Sequence, residues 1–299
     1  FNGIVSRIIE DSENNIWILC FDDGVYMFDR EKDEFSRCKL IKNGKNISPD
    51  NLYDICEDFQ GTLWVASDGV FKRVNNSPQP ATFYLDTSNR RIRSSTYTRI
   101  QEDQSGNLWM SSVSGVLMRQ PKSYRGTGKF FEYTHNPTDP TSLSNSHCWM
   151  VYVDDYGEVW IGTNHGLNRY VPEKDCFERF LMDAEPGASF IYDIKRDSTG
   201  YLWMTTENGL IGFDPSTVDR LANTKNQIKE YLPFEKILRS DMYKDQSGNI
   251  YVGSRPGSGN GYYSFHPDNI TKNSKIPPIV ITSFTIRNNT VELDTTITL

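Results

Sequence analysis

The sequence predicts an all-β chain folded as a β-propeller, and three observations carry that expectation. First, a unit recurs six times: an apolar-alternating run ending in Asp, two variable residues, Gly, one residue, an apolar residue and Trp, then a polar turn and Gly-Leu, in its clearest form from Val151 to Tyr170. The copies are Asp11 to Trp17, Asp58 to Trp64, Asp103 to Trp109, Asp154 to Trp160, Asp197 to Trp203 and, with Tyr replacing Trp, Asp245 to Tyr251. Second, the aromatic anchors lie 47, 45, 51, 43 and 48 residues apart, the length of one blade. Third, period-2 alternation broken by turn residues reads as a four-stranded antiparallel meander within each unit.

The fifth copy illustrates the reading. Residues 191–197 alternate and break at Ser198-Thr-Gly200; Leu202 to Thr206 form a second strand and Glu207-Asn-Gly209 turns it. Leu210 to Asp214 form a third strand, ended by Pro215, and Ile228 to Leu232 a fourth. Such a sheet has two apolar faces and cannot bury either alone, so neighbours must stack around an axis, which leaves only short, protected edges. Residues 1–270 are therefore expected to form six blades, either a full ring or six blades of a seven-bladed one. The unit's Asp should accept hydrogen bonds from the turn, while Gly, or Asn14 in the first copy, takes the positive-φ position. Its Trp should form an apolar plate between blades.

Two places depart from the unit. Gln120 to Ser146 reads as a long, polar, Pro-containing surface loop, and Ser254 to Gly261 lengthens the turn after the second strand of the sixth copy. Residues 271–278, with Pro277-Pro278, read as a stiffened linker. Residues 279–299 read as the opening strands of a further β domain, cut short where the sequence stops.

The totals narrow the function. A formal net charge of −7 disfavours a nucleic-acid surface, which needs clustered Lys and Arg. No apolar run approaches the roughly 20 residues that span a bilayer, and the first residues lack the order of a signal peptide. The sequence begins in mid-pattern, so upstream residues are expected. Cys20, Cys38, Cys56, Cys148 and Cys176 are scattered, show no Cys-x-x-Cys spacing and read mostly as buried small residues. His135, His147, His165 and His266 show no ligand spacing, so no metal or cofactor is expected. There is no nucleophile elbow or phosphate loop, and the carboxylates recur at one turn position without a distinctive acid pair. The expectation is a non-catalytic segment, with a glycan-cleaving propeller as a less favoured alternative.

A propeller gathers two loop sets on one face, the turns after second strands and the lead-ins to first strands. The first set offers Asp22, Asp23, Asp68, Asn164, His165, Glu207, Asn208 and Arg255, and the second Tyr53, Tyr97, Trp149, Tyr192 and Arg239. Trp149 is singled out as the one Trp outside the repeat position, since an indole can stack on a sugar ring while polar neighbours bind hydroxyls. The competing reading makes it a core plug near the central channel.

Tyr133-Thr-His-Asn-Pro-Thr-Asp-Pro-Thr-Ser-Leu-Ser144, the run from Val153 to Tyr170 and Phe177-Glu-Arg-Phe180 resemble the two-component-regulator propeller repeat of hybrid two-component sensors, over about residues 4–270. Residues 277–286 resemble the join to the immunoglobulin-like triple-tyrosine domain of that family. The resemblance implies a periplasmic segment of a membrane-bound, homodimeric hybrid histidine kinase and response regulator that senses an oligosaccharide and controls polysaccharide-utilisation genes. It implies a membrane span only downstream, and two seven-bladed propellers in the typical member. A structural and dimerisation propeller, with ligand bound elsewhere, stays open beside it.

Overall fold

The computed structural model describes residues 4–48, 51–73, 81–92, 95–181, 190–207, 209–217, 228–233, 241–253, 261–270, 284–286 and 289–291. It is a β-propeller of six blades. Blade 1 holds β1 (Val5–Glu10), β2 (Ile16–Cys20), β3 (Gly24–Asp29) and β4 (Glu34–Arg37) in sheet order. The next hairpin is β5 (Lys39–Lys42) and β6 (Lys45–Ile47). Blade 2 is built on β7 (Asp54–Glu57), β8 (Leu63–Ser67), β9 (Gly69–Arg73) and β10 (Thr82–Leu85). Blade 3 has β11 (Tyr97–Glu102), β12 (Leu108–Ser112), β13 (Leu117–Gln120) and β14 (Phe131–Tyr133). Blade 4 has β15 (Cys148–Val153), β16 (Val159–Thr163), β17 (Leu167–Val171) and β18 (Cys176–Phe180). Blade 5 has β19 (Ile191–Arg196), β20 (Leu202–Thr206), β21 (Gly209–Phe213) and β22 (Ile228–Pro233). Blade 6 has β23 (Met242–Lys244), β24 (Ile250–Gly253) and β25 (Tyr262–Phe265).

Blades 1, 3, 4 and 5 are the expected four-stranded meanders, whereas blade 2 has six strands and blade 6 three among the described residues. The extra strands of blade 2 come from the hairpin β5–β6, which turns on Asn43-Gly44 at positive φ and lies parallel to β10. Leu40 drives the addition by burying beside Phe83 and Leu63 in the core between blades 1 and 2. The loop expected over Gln120 to Ser146 contains β14, and its return leg is held down rather than loose. Leu143 is buried, and the Arg179 guanidinium donates to the carbonyls of Asp139 at 2.7 Å and Leu143 at 3.0 Å.

Each unit is stapled by its aspartate. Asp197 Oδ1 accepts the N–H groups of Thr199 at 2.9 Å and Tyr201 at 3.0 Å, and Oδ2 accepts the Trp203 indole N–H at 2.8 Å. The same indole bond recurs at Asp11, Asp58, Asp103 and Asp154, and Tyr251 donates its hydroxyl to Asp245 at 3.1 Å. The carboxylate thus joins the turn to the interblade core. Asn14, Gly61, Gly106, Gly157, Gly200 and Gly248 hold the positive-φ position. All five tryptophans of the repeat are buried. In blades 2, 3 and 4 the residue across the sheet is Lys72, Arg119 or Arg169, each placing its charge 5.5–5.8 Å from the indole centroid.

The outer faces of the first and last blades are less covered. Ile8 is 59% exposed on β1, and Tyr243 and Tyr262 are 64% and 61% exposed on blade 6. The five cysteines are free thiols, three of them buried. A separate two-stranded hairpin pairs β26 (Phe284–Ile286) with β27 (Asn289–Val291).

Candidate functional site

The first strands of four blades carry a β-bulge at one register, between Val5 and Arg7, Tyr97 and Arg99, Cys148 and Met150, and Ile191 and Asp193. The residue left unpaired is Ser6, Thr98, Trp149 or Tyr192, in each case five positions before the turn aspartate. A bulge re-aims its side chain away from the regular alternation. Where the residue is small, its hydroxyl stitches the blade to the next one: Ser6 Oγ donates to the Leu52 carbonyl and Thr98 Oγ1 to the Trp149 carbonyl, both at 2.7 Å. In blades 4 and 5 it is aromatic, which is how Trp149 leaves the core pattern.

Around Trp149 the two loop sets converge. Its indole N–H donates to Asn164 Oδ1 at 2.6 Å, and its ring lies 5.7 Å from Phe190 and 5.8 Å from Tyr192. Phe190 and Tyr192 are 4.7 Å apart, and the Tyr192 hydroxyl donates to Glu207 at 3.3 Å. Trp149 and Phe190 are half-buried while Tyr192 is buried. His165, next to Asn164, and His147, whose carbonyl accepts the Asn164 N–H at 3.1 Å, are exposed at the rim. The result is an aromatic step edged by an amide, a carboxylate and two imidazoles.

The remaining candidates lie elsewhere. Tyr53 meets Phe21 edge to face at 5.6 Å, and burial, then the Asp68 charge, pushes its hydroxyl pKa up. Asp68 accepts the Thr96 hydroxyl at 2.8 Å, and Asp23 that of Tyr26 at 2.9 Å. Asp22 is exposed in its turn at φ 59°. Tyr97 is corrected: it is fully buried in the core between blades 2 and 3, because it stands one residue before the bulge and keeps the inward direction. Asn208, Arg239 and Arg255 lie outside the described residues. Phe190 was not expected; the signal for it was an aromatic two residues before a bulge aromatic.

A family model described as two component regulator propeller matches residues 46–69 and 142–165. The second match contains the β15 bulge, the turn aspartate, β16 and the Asn164-His165 turn. Two segments of this chain are thus similar to the two-component regulator propeller repeat. Histidine kinase P4 of Formosa agariphila is 27% identical over 356 residues, covering 97% of this chain and 24% of that protein. The extracellular domain of BT4673 from B. thetaiotaomicron, described as a hybrid two component system, superimposes with a TM-score of 0.65 at 19% identity, over 96% of this chain and 36% of that one. That of BT3049 from the same organism gives 0.59 at 18% identity, over 89% and 34%. The structural likenesses establish the propeller fold, and this chain spans about a quarter of the curated relative's length. Among the described residues no helix is long and apolar enough to cross a membrane.

Proposed function

We propose that this segment is the non-catalytic, periplasmic sensing part of a homodimeric hybrid histidine kinase and response regulator, that it binds an oligosaccharide at the Trp149 step, and that binding controls polysaccharide-utilisation genes. The observation that carries the reading is the convergence of Trp149, Phe190 and Tyr192 with Asn164 and Glu207. Aromatic faces suit the C–H faces of sugar rings, and the amide and carboxylate suit hydroxyls. The similarity to extracellular domains supports the periplasmic location. A non-catalytic role is supported by the turn aspartates, whose oxygens are spent on backbone N–H groups and indoles.

In the same reading residues 271–278 are a linker and residues 279–299 open an immunoglobulin-like domain, in keeping with the β26–β27 hairpin. The exposed Ile8, Tyr243 and Tyr262 are in keeping with a seven-bladed ring. Those exposed tyrosines also favour a second reading, a structural and dimerisation propeller. Calorimetry against a panel of neutral and acidic polysaccharide fragments, run on this chain and its W149A variant, separates the two. Heat that weakens in W149A supports sensing at this step; equal heat in both moves the ligand elsewhere, and no heat with any fragment ends the oligosaccharide reading.

A further inference from the structure

A belt of residues circles the channel directly beneath the bulges. Four positions before the turn aspartate stand Arg7, Asp54, Arg99, Met150, Asp193 and Asp241 in blades 1 to 6. The six first strands together wall one channel cavity of about 440 Å³. Most belt contacts join neighbouring blades: Arg7 Nε lies 3.1 Å from Asp54 Oδ1, Asp54 Oδ2 accepts the Ile100 N–H at 3.1 Å, and Asp193 Oδ2 accepts the Met242 N–H at 2.6 Å. Arg99 departs from this rule. It reaches past blades 4 and 5 to pair with Asp241 of blade 6, and its Nε donates to Met150 Sδ at 3.2 Å.

The two blades it passes are those that carry the aromatic step. Met150 follows Trp149 in the chain, and Thr98, which precedes Arg99, donates to the Trp149 carbonyl at 2.7 Å. Ser111 Oγ donates to the same carbonyl at 3.3 Å. Thr98-Arg99 thus grips Trp149-Met150 by both backbone and side chain. On the far side Asp193, which follows Tyr192, holds the N–H of Met242 beside Asp241. Both aromatic bulges are therefore tied to the ends of one ion pair.

Stability is a weak reason for such a pair. Desolvating a side chain that is 9% exposed costs about as much as the charge attraction returns, and blade 4 fills the same register with Met. We propose that Arg99, anchored by Asp241 and working with Thr98, is a positioning residue that fixes the Trp149 bulge and so sets the orientation of the indole. The importance of that orientation for ligand rests on the reading of the Trp149 step as the binding site; the positioning itself does not.

The test needs no ligand. The other five tryptophans are buried, so acrylamide quenching of tryptophan emission reports chiefly on Trp149. R99M, D241N and T98V are expected to raise the quenching constant, T98S to leave it at the wild-type value, and the rise to vanish when the variants are repeated in a W149F background. Wild-type quenching in R99M and T98V, with only a lower melting temperature, overturns the proposal. D241N alters a side chain that is 50% exposed and keeps the test decisive if R99M does not fold. If the sugar panel gives no heat while quenching responds as expected, the oligosaccharide reading fails and the positioning stands; the reverse pattern does the opposite.

Discussion

The indole N–H of Trp149 donates to Asn164 Oδ1 at 2.6 Å, linking the lead-in of β15 to the turn that follows β16. The bond holds the half-buried ring by its edge, with Phe190 and Tyr192 packed 5.7 and 5.8 Å from it. Loss of a central aromatic anchor typically costs about 2 kcal/mol, so W149A should weaken binding of an oligosaccharide fragment by roughly thirty-fold. N164A removes one hydrogen bond, about 1 kcal/mol, and should weaken it roughly five-fold. Titration calorimetry with the best fragment of the panel checks both, and a melting temperature near wild type in each shows that the ring is intact.

The turn aspartates should behave oppositely, being scaffold. Asp197 is buried and holds two backbone N–H groups, the Thr199 hydroxyl and the Trp203 indole. D197A leaves those donors unpaired and should destabilise by about 3 kcal/mol in urea unfolding. E173Q, at an exposed residue, should stay within about 0.5 kcal/mol of wild type. Ligand affinity measured well below the unfolding midpoint should be unchanged in both.

The turn residue at positive φ offers a paired comparison. Gly157 sits at φ 83°, and a Cβ added there would lie 2.7 Å from the Gln104 side chain, so G157A should cost about 1–2 kcal/mol. Asn14 occupies the equivalent position at φ 64°, which Asn tolerates, so N14G should change stability by less than about 0.5 kcal/mol. Equal losses in the two variants would mean that the turn does not require this conformation.

Much of this was legible in the sequence, for a local reason. Turn aspartate, positive-φ residue and indole lie within seven positions of one another, so their chemistry repeats visibly wherever the unit does. The β19 to β21 limits agree with the alternation to within one or two residues. Trp149 stands out because it breaks the pattern, whereas Tyr97 reads as its equivalent although it stands six positions before its aspartate rather than five. Only the bulge makes that one residue decisive. The docking of β5–β6 on blade 2 is not legible in the sequence because its strands are short and rich in Lys, and the burial that fixes them falls on Leu40 alone among four residues of β5. The Arg99–Asp241 pair joins positions 142 apart, beyond what any local pattern can carry.

Acid should loosen the propeller through the staples at Asp11 and Asp245. The side chains of Asn15 and Trp17 hold the Asp11 carboxyl below its ordinary range against the opposing effect of burial, and the Asn249 side chain does the same for Asp245. A carboxyl lowered in the folded state stabilises fully above the unfolded value of about 4 and loses that contribution as pH falls through the folded value. D11N should therefore be less stable than wild type at pH 7, yet lose less stability between pH 5 and pH 3. Urea midpoints that run parallel across that range would show that Asp11 titrates no differently in the fold.

Thiol reactivity provides a separate view of the packing. Burial pushes the Cys38 and Cys56 thiols up to about 12 and raises those of Cys20 and Cys148 as well, so all four are disfavoured as thiolates. Cys56 and Cys176 are both half-buried, but Cys56 lies on first strand β7 beside the central channel, whereas Cys176 lies on β18, at the outer edge of blade 4. A disulfide-exchange reagent at neutral pH should label Cys176 well ahead of the others, and C176S should abolish the fast phase. Urea should then bring all five into a single rate class, because unfolding removes the burial that separates them. Fast labelling of Cys148 in the native protein would instead mean that the β15 bulge opens, exposing the strand that carries Trp149.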